Sequence, residues 1–227
     1  FLLGAFVFIF GLCIGSFLNC VIYRLEAGKS FLKGRSFCPH CKHTLAWLDL
    51  IPVFSYLFLN GKCRYCKKQI SWEYPVVETA TAVLFLLIFL ATRDLAQPDS
   101  FLILNLLYLW TIASLLIVLF VYDLRHYILP DKILFPAILV VCIWYFVSSI
   151  FFQAYTRYEI LNTIYASVGA GAFFLAIFLL SRGRAMGFGD VKLAAFMGLF
   201  LGWPHILVAL FVAFLLGAII GVILMAL

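Results

Sequence analysis

A chain of 227 residues that is 66% apolar and 11% charged, with a mean hydropathy of +1.14, lies far from soluble domains, which are nearer half apolar and a quarter charged. So much apolar surface cannot be hidden by a chain of this size folding in water, so it must face lipid. The formal charge of +6 needs no nucleic acid to explain it, since contact with anionic cytoplasmic-leaflet lipid is sufficient.

Taken in order, the chain opens on an apolar run at 1–22 that begins with Phe1 rather than Met. The run is too long, and too poorly flanked by a cleavage site, to favour a removed signal peptide. A polar segment follows at 23–74. Further apolar runs occupy 75–92 (with one acid, Glu78, near its start), 101–122, 133–152, 160–181 and 204–227. Each comes near or passes the roughly 20 apolar residues needed to cross a hydrocarbon core of about 30 Å. The stretch 191–203 is shorter, either a half-helix or the start of a kinked span continuing past Trp203 and Pro204. The expectation is an all-α polytopic membrane protein of six or seven transmembrane segments with a small cytoplasmic zinc-ribbon-like loop domain. Its parts are the first segment at 1–22, the tetracysteine domain at 23–74 and a helical membrane domain at 75–227.

Orientation follows from the basic residues, because Lys and Arg in short loops stay cytoplasmic. Loops 23–74, 123–132 and 182–192 hold 14 of the 16, including Lys29, Lys33, Lys67 and Arg184. The intervening loops, 93–100 and 153–159, hold only Arg93 and Arg157. Alternate loops are therefore basic. This places the N-terminus and the regions of Gln97 and Gln153 outside, with the three basic loops in the cytoplasm.

Loop 23–74 contains CPHC (Cys38, Cys41) and CRYC (Cys63, Cys66), separated by 21 residues. Two CxxC knuckles at this spacing predict one closed tetrahedral zinc site of four thiolates. Disulfides are the competing reading, and a cytoplasmic location argues against them. His40 and His43 are bystanders on this count. Cys13, Cys20 and Cys142 lie in apolar runs as small hydrophobes.

Acids kept near a membrane are candidates for function. Asp123 follows run 101–122 directly, and Asp190 closes GFGD ahead of the stretch beginning at Val191. The topology puts both at one membrane face, although 67 residues separate them. Two carboxylates at short range can share a proton, so that one activates a water while the other polarises a carbonyl. Gly187 and Gly189 allow unusual backbone angles there and leave room for a substrate main chain. Plain alternatives stand beside this: Asp190 can cap the following helix, Asp123 can pair with Arg125, and Asp131 can be a turn residue after Pro130.

Four segments carry a resemblance. GLCIGSFLNCVIYRL at 11–25, the cysteine-bearing stretch 36–78, YDLRHYILPDKILFP at 122–136 and MGFGDVKLAAFMGLFLGW at 186–203 resemble, in order, the signatures of the bacterial prepilin leader peptidase family. The resemblance implies an aspartic peptidase of the bacterial cytoplasmic membrane, with Asp123 and Asp190 as the catalytic pair. Gly187, Gly189 and Lys192 would form the supporting active-site loop. It further implies cleavage of prepilins or pseudopilins at a Gly-X junction, N-methylation of the new terminus from S-adenosylmethionine, and a further helix beyond Leu227. Loop 23–74 is the one segment large enough to host that water-soluble donor. Presenilin-like and signal-peptide-peptidase-like proteases share Tyr-Asp and GxGD but typically lack GSFLN and the four cysteines. A non-enzymatic zinc-ribbon scaffold is the third reading.

Overall fold

The computed structural model describes residues 2–28, 34–93, 99–184 and 186–226. Phe1, Lys29, Lys33, Gln97 and Leu227 lie outside the described residues. Among those described, the long elements are all helical: α1 (Leu2–Glu26), the short α2 (Phe54–Phe58), α3 (Glu73–Thr92), α4 (Asp99–His126), α5 (Asp131–Phe152), α6 (Arg157–Leu180), α7 (Phe188–Leu201) and α8 (His205–Ala226). A single turn of 3₁₀ helix at Trp47–Leu50 precedes α2.

Six helices, α1, α3, α4, α5, α6 and α8, are long and apolar enough to span a bilayer. Such segments must be helical, because lipid offers no partner to a free backbone N–H or C=O. The 14 residues of α7 extend only about 21 Å at 1.5 Å per residue, short of a hydrocarbon core of about 30 Å. The stretch is thus a separate short helix, and α8 starts anew at His205. Large apolar side chains stand exposed along the spans, as at Phe120, Phe146, Tyr165 and Phe211. Several hydroxyls in the spans bond within their own helix, as Thr81 does to the Val77 carbonyl at 2.7 Å and Thr92 to that of Ile88 at 2.8 Å.

The chain forms two compact units, Phe1–Tyr127 and Ile128–Leu227. In the first, α1 lies directly against α3. Gly11 and Gly15 form a GxxxG pair, and a Cβ on either would come within 2.6 Å of a backbone Cα, of Ala82 and Glu78 respectively. Without side chains there, the two backbones approach closely, the usual basis of helix pairing where both surfaces are apolar. α4 joins through Trp110, whose indole lies flat on Phe85 with ring centroids 5.0 Å apart and donates to the Phe85 carbonyl at 3.1 Å.

The second unit repeats the device. A Cβ on Gly198 would meet the Ala166 carbonyl oxygen at 2.6 Å, and Ser167 bonds the Ala195 carbonyl at 2.8 Å. Ala166, Ala170, Ala194 and Ile206 fill the resulting seam between α6, α7 and the start of α8. Tyr145 of α5 reaches the Leu199 carbonyl of α7 at 3.3 Å. The start of α6 is set by a reciprocal cap: Thr156 Oγ1 accepts from Glu159 N at 3.3 Å, and Glu159 Oε2 accepts from Thr156 N at 2.7 Å.

Candidate functional site

The two CxxC segments fold alike. Cys38 N donates to the His43 carbonyl and Lys42 N to that of Cys38; Cys63 N and Lys67 N repeat both bonds with Lys68 and Cys63, all at 2.9–3.0 Å. Lys42 and Lys67 each turn the chain at φ +59. The thiols of Cys38, Cys41, Cys63 and Cys66 consequently converge, all four sulfurs lying within 4.8 Å of one another, with Cys38 and Cys66 at 3.9 Å. Four thiolates at about 2.3 Å from a central ion are separated by about 3.8 Å in a tetrahedron, so the donor set fits a metal ion. Burial pushes the Cys38 thiol up. The Cys41 and His40 backbone N–H groups and the Cys63 and Cys41 thiols outweigh it, holding Cys38 down at about 7. Cys66 receives the Lys68 N–H, which lowers it. Burial and the three neighbouring thiols prevail and push it up to about 11. His43 instead stacks on Tyr65, with ring centroids 3.7 Å apart.

The module is fastened to the helices of its unit by residues that sequence reasoning passed over. Glu78, buried in the first turns of α3, accepts from Val53 N at 2.7 Å and is bonded by the Ser16 side chain of α1. Asn19 donates to the Tyr74 carbonyl at 3.0 Å. Arg24, also buried, donates to the carbonyls of Gly34 at 2.9 Å and Arg35 at 3.3 Å. The GSFLN segment is accordingly a docking strip: Gly15 admits α3, Ser16 and Asn19 bond to it, and Arg24 holds the following loop. Glu78 carried a visible signal, being the only acid inside an apolar run.

Asp123 lies in the last turn of α4, half-buried, its carbonyl accepting from Tyr127 N at 2.7 Å. Its neighbour Arg125 reaches elsewhere, donating to Glu73 at 2.7 Å and Glu26 at 3.1 Å. These bonds tie the ends of α1, α3 and α4 together beside Asp123. His126 Nε2 lies 3.9 Å from Glu26.

In the other unit, Asp190 stands exposed in the first turn of α7, and its Oδ2 accepts from Gly187 N at 3.2 Å. The carboxylate therefore does cap its own helix, with one oxygen. Gly187 has φ −78 and is not in the left-handed region, nor is Gly189. Their expected use of unusual backbone angles is not observed. What Gly189 supplies is space, since a Cβ there would meet Leu129 at 3.2–3.3 Å. Lys192, one turn in, donates to both oxygens of Asp131, at 2.7 and 2.9 Å, and lies over the rings of Phe188 and Phe135 at 5.3 and 5.9 Å. Asp131 is thus more than a turn residue, clasping the start of α7 to the start of α5.

Two family models match successive stretches of the chain. Residues 9–92 match the family model of the bacterial peptidase A24 N-terminal domain, and residues 110–222 that of the type IV leader peptidase family. A prepilin leader peptidase/N-methyltransferase of Klebsiella pneumoniae is 37% identical over 89% of this chain and 87% of its own length. That of Bacillus subtilis is 34% identical over 95% and 80%. The Myxococcus xanthus protein of the same name is 34% identical over 99% of this chain, which spans 64% of that protein's length. No solved structure matches.

Proposed function

The chain belongs to the type IV leader peptidase family, a family of proteases, and we propose that it is an aspartic endopeptidase removing the leader of prepilins or pseudopilins. Cleavage falls at a Gly-X junction on the cytoplasmic face of the bacterial inner membrane. The new N-terminus is then methylated from S-adenosylmethionine, and the four cysteines hold a structural Zn²⁺. The observation that carries the reading is the family match over 110–222, a stretch that includes both Asp123 and Asp190. It also decides against the presenilin-like and scaffold alternatives.

In this reading the two carboxyls hold one proton between them. The ionised carboxylate takes a proton from water as the oxygen attacks the Gly-X carbonyl carbon. The protonated partner donates a hydrogen bond to the carbonyl oxygen and stabilises its developing charge. Collapse of the tetrahedral intermediate breaks the C–N bond, with the proton passing to the leaving amine. Gly187 N–H holds Asp190 through Oδ2, leaving Oδ1 for the water. Lys192, fixed by Asp131, supports the turn that presents Asp190. The thiolates of the cysteine module would hold Zn²⁺ in a closed site, supplying stability to a segment with little core of its own.

The test is incubation of the purified chain with a prepilin, followed by N-terminal sequencing of the product. Asp123→Asn and Asp190→Asn should each abolish nearly all cleavage while insertion and helix content persist. Near-normal processing by either variant would overturn the assignment.

A further inference from the structure

The short helix α2 carries its apolar side chains on the face that a segment in water would make polar. Phe54, Leu57 and Phe58 fall at i, i+3 and i+4, one face of a helix, and all three stand outward, Phe58 with 84% of its surface exposed. The side chains able to hydrogen-bond turn the other way. Ser55 and Tyr56 are half-buried, and Tyr56 donates to the Ile70 carbonyl at 3.4 Å. Two tryptophans extend the outward face. Trp47, 74% exposed, opens the 3₁₀ turn that lies against α2, and Trp72, 73% exposed, packs on Tyr56 with ring centroids 5.5 Å apart. Single apolar residues on a surface are ordinary, whereas a joined set of this kind marks a contact.

What covers the face follows from where α2 sits along α3. The 20 residues of α3 rise about 30 Å, the thickness of a hydrocarbon core, so its start at Glu73 marks the edge of that core. Val53, at the N-terminal end of α2, donates to Glu78 at 2.7 Å, and Glu78 lies about 7 Å further along the span than Glu73. The start of α2 is thereby held level with the second turn of α3. That matches the depth of about 5–10 Å at which an interfacial helix buries its apolar face. Trp72, directly before α3, stands where membrane proteins place their aromatic belt. Charge fits the same neighbour. Residues 27–72 carry eight Lys and Arg against one acid, Asp49. Asp49 is turned onto Arg64 at 2.7 Å and Tyr65 at 3.3 Å, while Lys62, Lys67 and Lys68 are exposed, as suits a segment lying on anionic headgroups.

We propose that the ridge of Trp47, Phe54, Leu57, Phe58 and Trp72 inserts into the anionic leaflet of the bilayer that α1 and α3 span, so that lipid rather than another polypeptide covers it. The cysteine module then has three attachments, α1, α3 and the leaflet itself, and is kept from swinging away from the membrane surface.

The experiment places p-benzoylphenylalanine at Phe58, and separately at Phe54, in the full chain in nanodiscs of phosphatidylglycerol and phosphatidylethanolamine. Both positions are exposed aromatics, so the substitution leaves the fold intact. Irradiation should join the label to phospholipid, read by mass spectrometry as a peptide containing α2 and carrying one lipid. Leu57→Glu in the same chain should lower the adduct at Phe58 several-fold, because a carboxylate resists leaving water, and Leu57→Met should leave it near the original yield. Added prepilin should not displace the lipid. Crosslinks to residues 128–226, to a second copy or to the prepilin in place of lipid would overturn the proposal. Products free of lipid at both positions, or an adduct that Leu57→Glu leaves unchanged, would do so equally. The readout is the adduct and not cleavage, so Asp123→Asn, which tests the peptidase reading, should give the same adducts.

Discussion

Gly15→Ala adds one methyl group to α1 at its closest approach to α3. The new Cβ would lie 2.6 Å from Glu78 Cα and 3.1 Å from both the Glu78 carbonyl oxygen and Thr81 Oγ1. Carbon atoms in contact sit about 3.5–4.0 Å apart, so the helices must part by about 1 Å. Two of the three clashing atoms are backbone, and no rotamer change can relieve them. Overpacking of this kind costs about 1–3 kcal/mol. The same displacement stretches the 3.0 Å bond from Asn19 of α1 to the Tyr74 carbonyl of α3 past hydrogen-bonding distance, at about 1 kcal/mol more. The expected loss is about 2–4 kcal/mol, read by steric trapping in bicelles, together with faster loss of zinc to a chelator as the module loosens. Gly4→Ala on the same helix is the control. Its nearest neighbour is Leu86 Cδ1 at 3.6 Å, and removing a helical glycine there should add about 0.5–1 kcal/mol. Equal stability of Gly15→Ala and Gly4→Ala would refute the close-packing argument.

Purified protein should contain one zinc per chain, lost on replacing Cys38 and Cys63 together and released on acidification, because protons compete with the metal for thiolates; a metal-free native preparation would count against the site. Lys192→Met and Asp131→Asn should each cost less than about 1 kcal/mol of stability, as befits a partly exposed ion pair. The double variant should be no worse than either single one, and each should lower cleavage far less than loss of Asp123 or Asp190. Additive losses in that double-mutant cycle would show that the pair is not coupled. Cysteines introduced beside Lys67 and Arg184 should be labelled from the cytoplasm and one beside Gln153 from outside. Opposite sides for Lys67 and Arg184 would sink both the topology and the catalytic pair.

The features legible from sequence are those governed by local rules. Each membrane span satisfies its own backbone hydrogen bonds and needs only enough apolar length, so the six long helices were visible as runs. The shortness of 191–203 was visible too, but not that α7 and α8 are separate. The cysteine knuckles are also local: each places two thiols within four residues, and only the meeting of the two knuckles required folding. Asp123 and Asp190 stood out as acids at the ends of apolar runs, whereas their partners did not.

What tertiary structure alone decided is which distant groups meet. Arg125 sits two residues from Asp123, yet it bonds Glu73 and Glu26, 52 and 99 residues away. Lys192 takes Asp131 across 61 residues. Glu78 holds the turn at Val53 across 25 residues. Composition could not foretell these pairings. Helices apolar on every side carry no pattern that marks the face turned toward a neighbour, and that face is chosen by shape. Gly11, Gly15 and Gly198 determine where backbones can approach. Once they do, the few polar groups at the helix ends have only the partners that this approach brings within reach.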